Sequence, residues 1–295
     1  MKNPARNIIS TLRPQQWIKN LILFAPLVFS ERLFDMRAFG IVSIGFALFS
    51  LAASGIYAMN DLADYDRDRR HPIKSQRPIA SGTIPRGFAA AVSIILMSSS
   101  ITAGFLVSMN FGVFILLYVV LNIAYSYGLK TIVILDVMTV AIGFVLRVLA
   151  GAVIVNVPAS EWLIICTLLL SLFLGFSKRR HELGLLDARA SAHRDVLGQY
   201  SAGFLDQMIA IVTAATVMSY ALYTISDETV DKFGTNHLYY TIPFVLYGIF
   251  RYLYLVHKRD EGGNPTQTII TDIPLIVNVL VWITVTILII YFHLL

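Results

Sequence analysis

The sequence predicts an all-α integral membrane protein of nine transmembrane helices, and three observations carry that expectation. Of 295 residues, 57% are hydrophobic and 14% charged, whereas an ordinary soluble domain has about 25% charged residues. The mean hydropathy is +0.70. Nine apolar runs approach the roughly 20 residues that a bilayer-crossing helix needs. Lys and Arg, finally, are distributed unevenly between the alternate connections of those runs, which is the positive-inside signature.

The runs cover residues 18–33, 39–60, 88–108, 110–128, 133–154, 160–177, 206–225, 238–257 and 272–293. The first is short and contains Pro26, so a kink or an interfacial position is expected. The third and fourth are separated by little more than Ser108, Met109 and Asn110, which reads as a tight hairpin. One set of connections is the N-terminal tail (with Lys19), 61–87, 129–132, 178–205 and 258–271. It carries 18 of the 23 Lys and Arg residues. The opposite set carries Arg32, Arg37 and Lys232, and Arg147 and Arg251 fall inside runs. This asymmetry places the N-terminus in the cytoplasm and the C-terminus outside, in an inner or plasma membrane.

The net charge of +5 lies between apolar runs and forms no continuous basic face, which argues against nucleic acid as a partner. Membrane lipids are the expected surroundings. The single cysteine, Cys166, forms no intrachain disulfide. The N-terminus shows no short apolar core followed by a small-residue cleavage site, so no removable signal peptide is expected. The chain reads as one polytopic domain over 1–295, and the long loops 61–87 and 178–205 are expected to cap a site. Homo-oligomerisation is compatible with the sequence but not specified by it.

Charge concentrates in YAMNDLADYDRDRRHPIKSQRPIASG, residues 57–82. At 100° per residue from Asn60, Asp61 lies at about 100°, Asp64 at about 40° and Asp68 at about 80°, whereas Asp66 lies at about 240°. Asn60, Asp61, Asp64 and Asp68 therefore share a face if the helix continues through them. Three carboxylates on one stripe repel one another unless a cation offsets them. Mg²⁺ suits the set, because it takes hard oxygen ligands and bridges one or two carboxylates to substrate phosphates. The competing reading is a solvated, salt-bridged helix end, the usual fate of a charge run.

N60-D61-L-A-D64-Y-D66-R-D68 resembles the Asn-Asp-x-x-Asp-x-x-x-Asp motif of the UbiA superfamily of intramembrane prenyltransferases. QRPIASG (76–82) and YSYGLK (125–130) are similar to that family as well. The resemblance implies nine helices around a central cavity open to the cytoplasm. Members acting on aromatic acceptors carry a second Asp-x-x-x-Asp motif at the end of the sixth helix. Here that place reads SKRRHELGLLDARASAHRD (177–195), with Lys178, Arg179 and Arg180 where acids should begin and Glu182 the nearby carboxylate. This departure, with LRPQQWIKN (12–20), LDV (135–137), GFVLRVLAGA (143–152) and FRYLYL (250–255), resembles the decaprenyl-phosphate phosphoribosyltransferase branch. That branch moves 5-phosphoribose from phosphoribosyl diphosphate (PRPP) to a polyprenyl phosphate, using Mg²⁺ and releasing diphosphate.

The resemblance assigns Mg²⁺ to Asn60, Asp61, Asp64 and Asp68, with the three aspartates as the catalytic carboxylates. It makes Lys19, Arg77, Lys130, Lys178 and Arg179 candidates for phosphate oxygens, with Tyr125 and Glu182 beside them. Snorkelling at the lipid interface competes for Lys19, Lys130 and Arg251. Interfacial packing competes for Tyr125, and a plain i,i+4 ion pair for Lys178 and Glu182. Arg147 falls near mid-membrane, where an unpaired charge is costly. Asp136 shares its helical face, so Arg147 is expected to meet that carboxylate, a cavity or an anionic ligand, and it is taken as substrate-facing. The six histidines show no metal-ligand spacing. A prenyltransferase moving a prenyl group from its diphosphate to an aromatic acceptor is the alternative function. A transporter is disfavoured, because the ionisable residues crowd at one face and not along a transmembrane path.

Overall fold

The computed structural model describes residues 4–70, 74–186, 196–258 and 265–293, and the described residues form helices without strands. Parts of both expected capping loops, residues 71–73 and 187–195, lie outside the described residues. In chain order the helices are α1 (Pro4–Leu12), α2 (Ala25–Phe29), α3 (Met36–Ala63), α4 (Tyr65–Arg70), α5 (Arg86–Val107), α6 (Met109–Tyr127) and α7 (Leu135–Ile154). They continue as α8 (Glu161–Leu186), α9 (Ala202–Ile225), α10 (Asp227–Phe233), α11 (Ile242–Lys258), α12 (Pro265–Thr271) and α13 (Ile273–Phe292). Among the described residues seven helices are long and apolar enough to cross a membrane: α3, α5, α6, α7, α8, α9 and α13.

The remaining two of the nine expected runs are built differently. Run 18–33 is a 3-10 segment, Pro14–Phe24, followed by the five-residue α2 with Pro26 in its first turn. Run 238–257 is a 3-10 segment, His237–Thr241, leading into the 17-residue α11. The hairpin between α5 and α6 comes down to Ser108, whose hydroxyl accepts from Phe111 N–H at 3.2 Å and caps α6.

The 3-10 segment matters because of its rise. Three residues of 3-10 helix advance about 6 Å, as do four residues of α-helix. Side chains three apart on Pro14–Phe24 therefore register with side chains four apart on the antiparallel α3. Trp17 Nε1 donates to Ser54 Oγ at 3.0 Å, and Asn20 Nδ2 donates to Ser50 Oγ at 3.0 Å. On its other side the segment touches α7 at Gly151, where a Cβ would lie 2.3 Å from the Leu23 carbonyl oxygen. Only glycine allows that approach.

Two apolar cores result. One packs Leu23, Leu27, Phe49, Phe111, Ile115 and Ile154 from the N-terminal half. The other packs Phe173, Leu205, Tyr252 and Leu275 from the C-terminal half with Val137 of α7. The central helix α7 contributes to both. The last helix returns to the first elements: the Tyr291 hydroxyl donates to the Val28 carbonyl at 2.8 Å and accepts from Leu33 N–H at 3.0 Å.

Candidate functional site

Polar and charged side chains gather at the end of the bundle where α3, α6 and α8 finish and α7 and α9 begin. The α3 helix ends at Ala63, but its hydrogen bonding carries on, with Asp64 N–H to Asn60 O at 3.0 Å and Asp68 N–H to Asp64 O at 2.8 Å. The stripe expected from the spacing is thus close to continuous. Asp61 and Asp68 are buried, Asn60 and Asp64 half-buried, and Asp66 is exposed on the other side.

Each carboxylate of the stripe holds a cation of the chain. Arg77 Nη1 lies 2.9 Å from Asp61 and 2.6 Å from Asp68. Arg13 Nη2 also donates to Asp61, and its guanidinium stacks 5.1 Å from the Tyr57 ring centroid. Lys130 Nζ donates to Asp64 at 2.6 Å. Asn60 Oδ1 accepts from Ser126 Oγ at 3.3 Å. The four predicted ligands therefore divide: Asp61 and Asp68 converge on one point, while Asp64 turns to Lys130 and Asn60 to α6.

The donor set fits a hard divalent cation. Among the described residues no three acidic, His or Cys side chains form a ready metal cage. Mg²⁺ does not require one, since it is held by one or two carboxylates with water and substrate phosphate. The place where two carboxylates already meet one positive nitrogen, Arg77 Nη1, is such a pair.

Basic side chains of α8 lie alongside. Arg179 is buried and donates from Nε to Asp136 at 2.6 Å and from Nη1 to Glu182 at 2.6 Å, with Nη2 3.5 Å from the Tyr125 hydroxyl. Tyr125 and Ser126 are neighbours on α6, so this wall and the acidic stripe meet there. Lys178 lies 3.8 Å from Glu182 and is more exposed. Arg180 turns away to Asp206 at 2.8 Å. The basic triplet is thus split: Lys178 and Arg179 share Glu182, and Arg180 points elsewhere.

Asp136 is 0% exposed. It accepts from Arg179 at one oxygen and from the Tyr200 hydroxyl, at 2.6 Å, at the other. Tyr200 in turn accepts from Ile134 N–H at 2.7 Å. Ile134 has φ +70°, a strained value for a β-branched residue. Burial, reinforced by the bond to Asp136, pushes the Tyr200 phenol upward, so it stays a donor. Asp136 shares a helical face with Arg147 but bonds elsewhere: α7 turns Asp136 toward α8, and the carboxylate goes to Arg179.

Arg147 instead sits 5% exposed among neutral groups. Its Nε donates to Asn20 Oδ1 at 2.8 Å, Nη1 to Gly143 O at 2.8 Å and Nη2 to the Tyr118 hydroxyl at 2.6 Å. Lys19, next to Asn20, lies within electrostatic reach of Arg147 and Arg13. Arg251, for which snorkelling was the competing sequence reading, pairs with Asp272 at 2.7 Å, and Asp272 also caps α13.

Sequence reasoning assigned no site role to Arg13, Ser126, Tyr57 or Tyr200. Arg13 was within reach, since it lies in LRPQQWIKN just before Pro14. Its backbone is left-handed at φ 51°, a conformation that costs on the order of 1–3 kcal/mol and persists where surroundings impose it. Tyr200 has no sequence signal, because its partner is 64 residues away.

The UbiA prenyltransferase family matches residues 21–268. The decaprenyl-phosphate phosphoribosyltransferase of Corynebacterium glutamicum is 34% identical over 296 residues, covering 98% of this chain and 88% of that one. Its namesake from Mycolicibacterium smegmatis is 33% identical, covering 96% and 92%. Among solved structures, a UbiA homolog from Archaeoglobus fulgidus bound to GPP and Mg²⁺ matches with a TM-score of 0.71 at 17% identity, over 96% of this chain and 99% of that one. At that identity the match speaks for the fold.

Proposed function

The chain belongs to the UbiA prenyltransferase family, and from that premise we propose that it is a membrane phosphoribosyltransferase that moves 5-phosphoribose from PRPP to a polyprenyl phosphate of decaprenyl type. One observation of geometry carries the reading. The acidic stripe of α3–α4 adjoins, through Tyr125 and Ser126, a wall built on Arg179 and Lys178, and among the described residues there is no second acidic cluster. Such a site suits two phosphate groups, one held with a metal and one held by cations. The near full-length similarity to decaprenyl-phosphate phosphoribosyltransferases supports the same substrates.

In the reaction the bond from sugar C1 to the diphosphate oxygen breaks, and a bond from C1 to a phosphate oxygen of the lipid forms. The transition state resembles an oxocarbenium ion, as in glycosyl transfer. The acceptor is already anionic, so positioning and charge stabilisation suffice. Asp61 and Asp68, with Asp64 and Asn60 beside them, are the residues that would hold Mg²⁺, which when bound supplies positive charge to the departing diphosphate. Arg77, Arg13 and Lys130, which pair with those carboxylates, would supply the cations for the diphosphate oxygens. Lys178 and the Nη2 edge of Arg179, which the Asp136 and Glu182 bonds hold beside the Tyr125 hydroxyl, receive the second phosphate. The Lys and Arg asymmetry supports a site on the cytoplasmic face of an inner or plasma membrane.

The test is to supply purified protein with polyprenyl phosphate, Mg²⁺ and either labelled PRPP or labelled prenyl diphosphate. Label from PRPP should enter the lipid. Label moving only from prenyl diphosphate to an aromatic acceptor would replace this reading with that of a prenyltransferase.

A further inference from the structure

Away from the reaction site, α9 and α11 border a groove of about 610 Å³ on the surface of the C-terminal half. Small side chains of α9, Ala210, Thr213 and Ala214, make it concave, and Leu246, Phe250 and Leu253 of α11 line it from the other side. Along α9 it runs from Asp206 to Met218, a rise of about 18 Å. That is close to the depth of one leaflet, since the hydrocarbon core of a bilayer is about 30 Å thick. The groove stops there because the rest of α9 is covered: the Tyr220 hydroxyl lies 2.7 Å from Thr241 Oγ1 and accepts from Trp282 Nε1 at 2.9 Å. In lipid no hydrophobic force closes such a groove, and an empty one forfeits its dispersion contacts. A second transmembrane helix would pack along the full bilayer depth, whereas an acyl chain of one leaflet matches this length. Charge of both signs sits at the mouth. Arg180 Nε donates to Asp206 Oδ1 at 2.8 Å, and His257 Nε2 lies 3.8 Å from the same oxygen. A guanidinium has five N–H donors, and among the described residues Arg180 uses only Nε. Asp206 Oδ2 likewise accepts no hydrogen bond among the described residues.

We propose that this groove binds one phospholipid of the leaflet at the charged end of the bundle, and that the lipid's headgroup carries a primary ammonium beside its phosphate, as in phosphatidylethanolamine. One acyl chain lies over Ala210 and Ala214. The phosphate meets the Nη edge of Arg180 in the two-pronged geometry that guanidinium groups favour, and the ammonium donates to Asp206 Oδ2. A headgroup of negative charge alone would set its phosphate beside the Asp206 carboxylate with nothing to answer that second oxygen. A quaternary ammonium has no N–H to donate. Arg180 turns away from the wall built on Arg179 and Lys178, so the lipid site stands independently of the reaction proposed above.

The experiment titrates the delipidated full chain in detergent with phosphatidylethanolamine, phosphatidylcholine or phosphatidylglycerol of identical acyl chains, and reads bound lipid and dissociation constants by native mass spectrometry. One phosphatidylethanolamine should bind more tightly than either other lipid, by up to about fivefold, the range of a partly exposed ion pair. Ala214→Phe fills the groove from an exposed position and should abolish that binding. Ile211→Phe, at an exposed position of α9 outside the groove, should leave it unchanged. Asp206→Asn should bring phosphatidylethanolamine down to the level of phosphatidylcholine. Equal affinity of the wild type for the three lipids, undiminished binding to Ala214→Phe, or a preference that survives in Asp206→Asn overturns the site. So does a preference for phosphatidylglycerol or for a polyprenyl phosphate, either of which would give the groove to an anionic lipid without an ammonium. A wild-type oligomer that Ala214→Phe dissociates, with lipid binding unchanged, would show that the groove seats a second copy of the chain, and the proposal falls.

Discussion

Asp61 and Asp136 are both aspartates paired to arginine at the same end of the bundle, yet they sit in opposite kinds of environment. Asp61 shares its two guanidinium partners, Arg13 and Arg77, with solvent: their side chains are 25% and 28% exposed. Asp136 is sealed, with Arg179 at 5% and itself at 0% exposure. The first cluster can exchange partners, because a ligand can reach it and its cations can swing away. The second cannot, because each oxygen of Asp136 is already spent on a buried donor. A carboxylate–arginine pair is therefore a candidate ligand site or a strut according to what seals it, which charge pattern alone does not reveal.

The comparison breaks most readily at the stripe. Asp61→Asn keeps the shape and an acceptor but removes the charge that converges with Asp68 on one point. Turnover should fall by about 10²–10³-fold, the range seen when one preorganised electrostatic contact is lost. The unfolding midpoint in detergent should barely move. A variant of near wild-type activity and unchanged Mg²⁺ response would take the metal assignment away from this stripe.

At the sealed node the order reverses. Asp136→Ala leaves the buried Nε of Arg179 without its acceptor, and breaking a buried pair costs about 3–5 kcal/mol, less what Glu182 retains. Thermal unfolding in detergent should reveal it as a large drop in midpoint. Stability close to wild type would mean that Asp136 belongs with the exchangeable carboxylates after all.

Much of this was legible in the sequence for physical reasons that are local. Apolar runs locate α3, α5 to α9 and α13, because burial in lipid demands continuous apolar length. The i, i+4, i+8 spacing of Asn60, Asp64 and Asp68 places the stripe, because helical period depends on nothing distant. What the sequence hid is tertiary. Pro14 and Pro26 hint at irregularity, but a 3-10 segment of 11 residues is held by its ladder to Ser50 and Ser54, and 3-10 runs beyond three or four residues are uncommon. The partner of Asp136 stayed open in the sequence because Arg147 lies on the same helical face, whereas the choice of Arg179 is made by how α7 faces α8. The role of Tyr200 depends on a loop returning over 64 residues.

A subtler probe of the sealed node is Tyr200→Phe. It removes one hydroxyl and leaves an Asp136 oxygen and the Ile134 N–H without a partner, at a cost of about 1–3 kcal/mol. The drop in unfolding midpoint should be clear but smaller than for Asp136→Ala. A second change at Asp136 should add little, because the two residues share one network. Additive losses would show that Tyr200 stabilises the loop independently of Asp136.

The smallest effect is expected where the basic triplet points outward. Arg180 pairs with Asp206 at 29% and 43% exposure, with His257 3.8 Å from the same carboxylate oxygen. Exposed pairs contribute roughly 0–1 kcal/mol and are screened by salt. Arg180→Gln should therefore shift stability by less than about 1 kcal/mol, and by less again at high ionic strength. The KM for both substrates should remain that of the wild type. The three neighbours Lys178, Arg179 and Arg180 differ by 100° steps around α8, so only the turn of the helix separates a buried organiser from a surface charge. A tenfold rise in either KM for Arg180→Gln would show that the wall extends one residue further and that Asp206 is a lid on it.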